Sequence, residues 1–458
     1  MLALGLTAAA SLAGAAAAGE YHLTVDKVTI NTGAFTRSGV GFNGSSPGPV
    51  LRFQEGEDAV IHVTNNLSET RSIHWHGLIL PFKQDGVPGI TYDGIAPGET
   101  FTYRFPIKQS GTYWYHSHSD FHEPDGAYGA LVLEPKAREP YSYDREYIVQ
   151  LADAHPHHGS RIMRNLKMMP DYYNRKQRTL LDFFGDANER GLAAAWADRK
   201  DWGEMRMMPT DIEDLQGFTP LMNGKSPEQN WTGLFKPGER VRLRFIDSSA
   251  MTYFDIRIPG LKMTDAKPMG MDHSKMDHSH HQAAAAPNPF YADGSGLMPS
   301  AANGGRFLSY GDLKAQKPLY PVRPPTREIE LRLTGNMERY IWSINGVKYA
   351  DADPIRLQYG ERVRFKFVNE TMMTHPMHLH GMWSIIDTGQ GQWNPIKHVV
   401  SVSPGTTIYM ETEVDAPGKW AFHCHLSYHA DSGMFRKVIV EGGPADKQAA
   451  MPATATGG

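Results

Sequence analysis

The segments Gly111-Thr-Tyr-Trp-Tyr-His-Ser-His118 and Gly418-Lys-Trp-Ala-Phe-His-Cys-His425 are two versions of one segment. That repetition constrains the fold more than any other feature of the chain. The pairing runs on to His122 against His429. Upstream, three further segments align without gaps on a turn glycine followed by an acid: Gly56-Glu57, Gly238-Glu239 and Gly360-Glu361. Each continues into a short alternating run and a polar turn (Asn65-Asn66, Asp247-Ser248, Asn369-Glu370). In that register the first copy carries His74 and His76, the third His378 and His380, and the second Ile256 and Ile258. The chain is therefore built from similar units, and only the outer two carry paired histidines.

The alternating runs, such as Ala59 to Val63, Arg240 to Phe245 and Arg362 to Phe367, are bounded by Gly, Pro and Asn. They predict an all-β protein made of sandwiches. A chain of 458 residues has room for two to four such domains, each with its own core. Charged residues make up 21% and the formal net charge is -4, with acids and bases interspersed. No basic stripe suggests nucleic acid, and no apolar run after the N-terminus is long enough to span a bilayer. Residues 1–19 are small and apolar and end in an alanine tract, which reads as a secretory leader cut near Ala18. The plainer alternative is an alanine-rich leader with no targeting role. A single cysteine excludes an internal disulfide, and an exported lone thiol is an oxidation hazard unless something occupies it.

Residues i and i+2 of a strand point to the same face. Each His-x-His therefore presents two imidazoles side by side, and neutral imidazole is a good copper ligand. Four pairs give His74, His76, His116, His118, His378, His380, His423 and His425. If units one and three face each other, these eight enclose one cluster of up to three coppers. Cys424 lies between His423 and His425, so its thiol points to the opposite face of that strand. There it can meet His375, His429 and Met434, the thiolate, imidazole and thioether set of a blue-copper site. The same three residues would then touch both sites, with a short covalent path between them. In unit one the corresponding positions are Arg71, Ser117, His122 and Ala127, so the mononuclear site belongs to unit three alone.

On His74-Trp-His-Gly77, the Gly111–His118 segment, Thr374-His-Pro-Met-His-Leu-His-Gly381 and Trp420-Ala-Phe-His-Cys-His-Leu-Ser-Tyr-His429 with Met434, the chain resembles the multicopper oxidases. Within them it looks most like the bacterial periplasmic copper-resistance oxidases. The resemblance runs from about Tyr21 to Val440. It implies tandem cupredoxin-like Greek-key sandwiches in a three-domain plan, with copper-binding domains at 20–140 and 326–441. A metal-free domain at 141–268 would lie between them, followed by a loop and linker at 269–325 and a tail at 442–458.

The resemblance also implies four copper ions. His375, Cys424 and His429 look like the type 1 ligands, with Met434 axial. His74 and His378 look like the type 2 ligands. His76, His116 and His425 would hold one type 3 copper, and His118, His380 and His423 the other. Reducing substrate, either Cu(I) or a small phenol, would then give up electrons one at a time. They pass through Cys424 to the cluster, where dioxygen becomes water. Asp85 matches the acid that relatives place beside the type 2 copper and is expected to relay protons; its plainer role is a turn-forming Asp before Gly. Where relatives carry a Glu just after the second type 1 histidine this chain has Ala430, with Asp431 as the weaker substitute. Relatives of this kind are periplasmic and use a twin-arginine signal, although no Arg-Arg occurs in this chain.

Residues 269–282 repeat Met-Asp-His-Ser and read as a low-complexity loop suited to collecting copper. Its alternative is a linker with incidental histidines. Met372, Met373 and Met377 crowd His375 and are expected either to guide Cu(I) or simply to pack. The middle unit is shortened: its first half runs from Thr219 to Thr264, but the counterpart of Gly111–Leu133 is missing, which predicts exposed strand edges. Residues 174–202 read as a helical insertion. A different class of function, copper sequestration with little turnover, would use the same ligands without oxygen uptake.

Overall fold

The structure is a computed structural model that describes residues 19–174, 179–204, 214–256, 258, 309–336 and 338–443, with backbone only for 201–204. The expected leader, the Met-Asp-His-Ser repeats at 269–282 and most of the tail lie outside the described residues.

Unit one is a two-layer sandwich. One sheet has the strand order Thr36–Phe42, Glu20–Asn31, Asp58–Asn65, Thr100–Pro106, and the other Gly48–Gln54, Tyr128–Glu134, Gly111–His116, His74–His76. Unit three repeats the plan. Its first sheet runs Ile341–Ile344, Arg327–Asn336, Arg362–Asn369, Thr407–Glu413, Ser384–Ile386, Ile396–Lys397. Its second runs Ile355–Gln358, Phe435–Glu441, Gly418–Cys424, His375–Leu379, Val399–Val402. The alternation seen in the sequence sets which face is core. In Asp58–Asn65, Ala59, Ile61 and Val63 are buried and their neighbours face outward. Val363, Phe365 and Phe367 do the same in Arg362–Asn369. Each fully buried side chain of this size contributes about 1.5–3 kcal/mol. Trp75 and Tyr115 fill unit one, and Trp342, Trp420 and Phe422 fill unit three, within one continuous apolar core.

A buried asparagine closes the same corner in both outer units. Asn65 Nδ2 donates to the carbonyls of Glu69 and Ile95, and its Oδ1 accepts from Leu67 N. Asn369 makes the equivalent bonds to Met373, Val402 and Thr371. These brackets fix the turns that lead into the two histidine strands.

The middle unit is described only in part. Among the described residues it has one sheet of three strands, Thr219–Met222, Arg145–Ala154 and Val241–Asp247. This is the antiparallel-plus-parallel trio that begins each outer unit. The segment in register with the histidine strands, around Ile256, forms no strand. This sheet is covered on one face. Ala152, Ala154, Leu221 and Ile246 pack on Val28, Ile30, Trp114, Tyr128 and Ala130 of unit one in a second apolar cluster.

The helical insertion is present as Leu180–Arg190 and Leu192–Glu204. A further helix, Gly159–Met168, was not anticipated; it buries Ile162, Met163 and Leu166 in the main core. The protein is thus mostly β with few helices. No helix among the described residues is long and apolar enough to cross a membrane.

Candidate metal centre

The eight paired histidines meet where units one and three face each other. Strand register puts His74 opposite His116 and His378 opposite His423. Across the interface His74 Nε2 lies 3.5 Å from His378 Nε2, and His118 Nε2 lies 3.4 Å from His423 Nε2. Three groups bring their ligand atoms within 4.8 Å of one another: His74, His76 and His378; His76, His116 and His425; and His118, His380 and His423.

The second nitrogen of most of these rings is already committed. His74 Nδ1 donates to the Asp85 carbonyl at 2.7 Å, His378 Nδ1 to the His398 carbonyl at 2.6 Å, and His423 Nδ1 to the Cys424 carbonyl at 2.8 Å. His380 Nδ1 donates to Asp85 Oδ2 at 2.9 Å, and His116 Nδ1 to Glu123 Oε2 at 2.7 Å. Such bonds fix tautomer and ring orientation, as partners of metal-bound histidines do. They also leave the Nε2 lone pairs of His380 and His423 facing each other at 3.0 Å. The Nε2 atoms of His116 and His425 and both ring nitrogens of His76 are buried without a hydrogen-bond partner. Lone pairs gathered this way call for a cation.

Burial first, and neighbouring imidazoles second, hold His76, His378 and His380 well below the usual histidine range. Burial likewise lowers His116, His118 and His423 well below it, and takes His425 to about 4. These rings are therefore neutral near pH 7, the form that binds metal.

On the other face of the Gly418–Cys424 strand, Cys424 Sγ is 3.5 Å from His375 Nδ1 and 3.9 Å from His429 Nδ1, and these two nitrogens are 3.2 Å apart. Both Nε2 atoms are engaged, His375 with Thr371 Oγ1 at 2.7 Å and His429 with Asp214 Oδ2 at 2.7 Å. The two Nδ1 lone pairs thus converge on the sulfur. Burial pushes the Cys424 thiol up, so a thiolate there requires a compensating cation. Met434 is fully buried; its carbonyl accepts from Cys424 N, and its own N–H donates to the His429 carbonyl. Trp342 stacks on His429 at 3.9 Å between ring centroids. The donor sets fit copper: thiolate with two imidazoles on one face, imidazole alone on the other.

Asp85 is buried against His74 and His380, so it orients two rings from different units. Asp431 is further out. It lines a cavity of about 680 Å³ that reaches His116, His118 and Glu123, and among the described residues it bonds to no histidine of the cluster.

Four residues were missed in the sequence. Glu123 joins His116 and, at 4.0 Å, His425, and its Oε1 accepts from Ser427. It directly follows His122 in the repeat, which is the signal that could have found it. His398 supplies the carbonyl for His378, and its buried ring lies edge-on to His76. Asp214 and Met251 carry no motif. Both line a second cavity, of about 520 Å³, together with Tyr253, Met372, Met373 and Leu426. Met377, grouped in the sequence with Met372 and Met373, is not in that wall. It is buried in its strand opposite Cys424, because an alternating strand turns that side chain into the core.

Family models described as multicopper oxidase match residues 24–138, 175–265 and 322–444. A copper resistance protein A homolog of Pseudomonas syringae pv. tomato is 40% identical, covering 92% of this chain and 92% of that protein. Copper resistance protein A of Escherichia coli is 38% identical, covering 96% and 94%. The alignment with the Pseudomonas protein extends over 544 positions, more than the 458 residues here, so that relative carries segments this chain lacks. Among solved structures, a multicopper oxidase from Pseudomonas thermotolerans superposes with a TM-score of 0.60 at 21% identity, covering 93% of this chain and all of that one. Fet3p, a multicopper oxidase that functions in iron import, superposes at 0.63 with 18% identity, covering 92% and 90%. The folds are therefore shared. The chain belongs to the multicopper oxidases: it is a copper-dependent oxidoreductase that uses oxygen, with homologues in copper resistance.

Proposed function

We propose that this oxidase takes its electrons chiefly from Cu(I), in the service of copper resistance, and holds four coppers in the two groups described above. His375, Cys424 and His429, with Met434, would hold one. His74 and His378 would hold a second. His76, His116 and His425 would hold a third, and His118, His380 and His423 a fourth. Copper bound there supplies one-electron transfer and the four-electron reduction of dioxygen to water.

The observation that carries the substrate reading is the cavity beside His429. Thioethers of Met251, Met372 and Met373 line it, and soft thioether favours Cu(I). Asp214 forms part of the same wall. One carboxylate oxygen accepts from His429 Nε2, and the other is buried without a partner. A cation entering the cavity thus meets a carboxylate that is one hydrogen bond from a ligand of the thiolate site. The middle unit builds much of this wall. Asp153 accepts from the backbone N–H groups of Ala250, Met251 and Thr252 and so fixes the loop that presents Met251.

The residues around the cluster prepare it for proton traffic. Asp85 contacts His74 and His380, and Glu123 contacts His116, with burial raising the Glu123 carboxyl. Cavity space beside Glu123 runs out to Asp431 and Lys167. We assign proton delivery to Asp85, with Asp431 at the outer end of the 680 Å³ cavity. The same reading places the protein in the periplasm, resting on the small-residue leader.

Oxygen uptake by the copper-loaded protein tests the proposal. Replacing Met251 and Met372 by Leu should depress uptake driven by Cu(I) about tenfold or more and leave uptake driven by a phenol near normal, since only the thioethers are lost. Equal losses on both substrates would refute the Cu(I) reading. Tight copper binding with no oxygen uptake on either substrate would favour sequestration.

A further inference from the structure

Away from both copper groups, the outer surface of unit one carries a third constellation of ligand type. Strands Glu20–Asn31 and Asp58–Asn65 run parallel in the register that sets His22 beside His62. On the next strand Thr102 stands opposite His62. All three side chains lie on the solvent side of the sheet, because the alternate residues Leu23, Ile61 and Val63 fill the core. Glu20 is two residues before His22 and shares its face.

The two imidazoles stack with centroids 4.6 Å apart and planes 13° apart. Thr102 Oγ1 engages His62 Nδ1 at 2.9 Å, which turns Nε2 toward Glu20 as the ligand atom. That Nε2 is 3.0 Å from Glu20 Oε1, and His22 Nε2 is 3.9 Å from the same oxygen. The three ligand atoms lie within 4.8 Å of one another. The His22 side chain is 75% exposed and that of Glu20 is 45% exposed, so small rotations suffice to close them on an ion while water fills the remaining positions.

We propose that Glu20, His22 and His62 form a solvent-open site for a divalent transition metal, with Cu(II) preferred. Two neutral imidazoles and one carboxylate suit first-row divalent ions, and the Irving–Williams order puts Cu(II) highest among them. With Nε2 on the ion, His62 Nδ1–H donates to Thr102 Oγ1, which plays the part that carboxylates and carbonyls play for buried metal-bound histidines and aims the ring at the ion. The simpler role of the trio is to pin the first strand to its neighbour through the Glu20–His62 bond, and that role needs no metal.

The site lies on the sheet opposite the one that carries His74, His76 and His116, so it fills and empties without disturbing them. It stands whether or not the oxidase takes electrons from Cu(I).

Titration of the full-length, copper-loaded protein with copper sulfate at neutral pH provides the test, with bound copper per chain and electron paramagnetic resonance as readouts. The wild type should take up one more equivalent than His22→Ala. That copper should give an axial signal with nitrogen coupling, no blue absorption, and first release to a chelator. Oxygen uptake should be equal in the two proteins. His62→Gln, read the same way, guards against a local effect at the start of the strand. The Met-Asp-His-Ser segment is present in every variant, so the difference isolates this site. Unchanged copper uptake in both variants would overturn the assignment.

Discussion

Units one and three build the same frame around opposite contents. Ser117 N donates to the Ala127 carbonyl as Cys424 N donates to that of Met434, and Ala127 N meets His122 as Met434 N meets His429. Inside the frame, unit three holds a thiol and two convergent imidazoles. Unit one holds Arg71, buried and paired with Glu69 at 2.5 Å, beside a lone His122. The guanidinium turns one potential metal site into an ion-paired anchor, because a fixed positive charge in that space opposes a metal ion. The frame is thus architecture, and two or three side chains decide whether it offers a metal a thiol and two imidazoles.

The sharpest way to break this contrast is at Cys424. Cys424→Ser should abolish the blue absorption and reduce oxygen uptake to background, although it makes unit three match Ser117 of unit one at only one position. His378→Ala should also stop turnover but keep the blue band, because it empties a different face. Turnover surviving in Cys424→Ser would show that the link through His423-Cys424-His425 is not the electron route, and turnover surviving in His378→Ala would remove His378 from the essential ligands.

Next in size are the carboxylates that bridge the units. Asp85→Asn should slow turnover by about 10–100-fold, the usual cost of disturbing a partner of metal-bound histidines. Full copper content in the slowed protein would favour proton delivery over ligand positioning. Turnover unchanged across pH would remove Asp85 from the mechanism.

Acid stability of the copper-free protein comes third. His425 and His398 are held at about 4 and about 3 by burial, below the ordinary value of about 6.5 that the unfolded chain recovers. The unfolded state therefore binds more protons as the pH falls. Stability is fully present above about pH 6.5 and is lost progressively toward about pH 3. A thermal melting series on chelated protein should show that decline, and copper loading should flatten it. A melting temperature independent of pH in that window would contradict the burial argument.

A smaller test compares two glycines. Gly77 and Gly381 both adopt positive φ after their histidine strands, at 81° and 72°. A Cβ on Gly77 would come within 2.8 Å of the His398 ring, and one on Gly381 within 2.4 Å of Trp420. Both alanine variants should lose about 1–3 kcal/mol in chemical denaturation. Gly381→Ala should lose more, since Trp420 is locked in the core. The smallest expected effect is Ser117→Cys, which should create no second blue band while Arg71 and Ala127 remain.

Much of the site was legible because its ligands sit on strands at fixed spacing. Alternation dictates that His423 and His425 share a face and that Cys424 takes the other, and repeat register separates the ligand-bearing units from the middle one. The supporting residues were not legible in that way. Asp214 reaches His429 across a large sequence separation, and no local pattern marks it. His398 acts through its backbone carbonyl, which any residue has. The covering of the middle sheet depends on Trp114 and Tyr128, which read locally as core of their own sandwich but face the neighbouring unit. The face of that sheet is thus covered by packing that only the tertiary arrangement reveals.

The cluster between the outer units also sets a chronology for making the protein. Its earliest histidine is His74 and its latest is His425, with Met434 beyond. A chain emerging from the ribosome N-terminus first holds no complete cluster until His425 has been synthesised. A product truncated anywhere before the final unit lacks His378, His380, His423 and His425 of the cluster, and Cys424 with them.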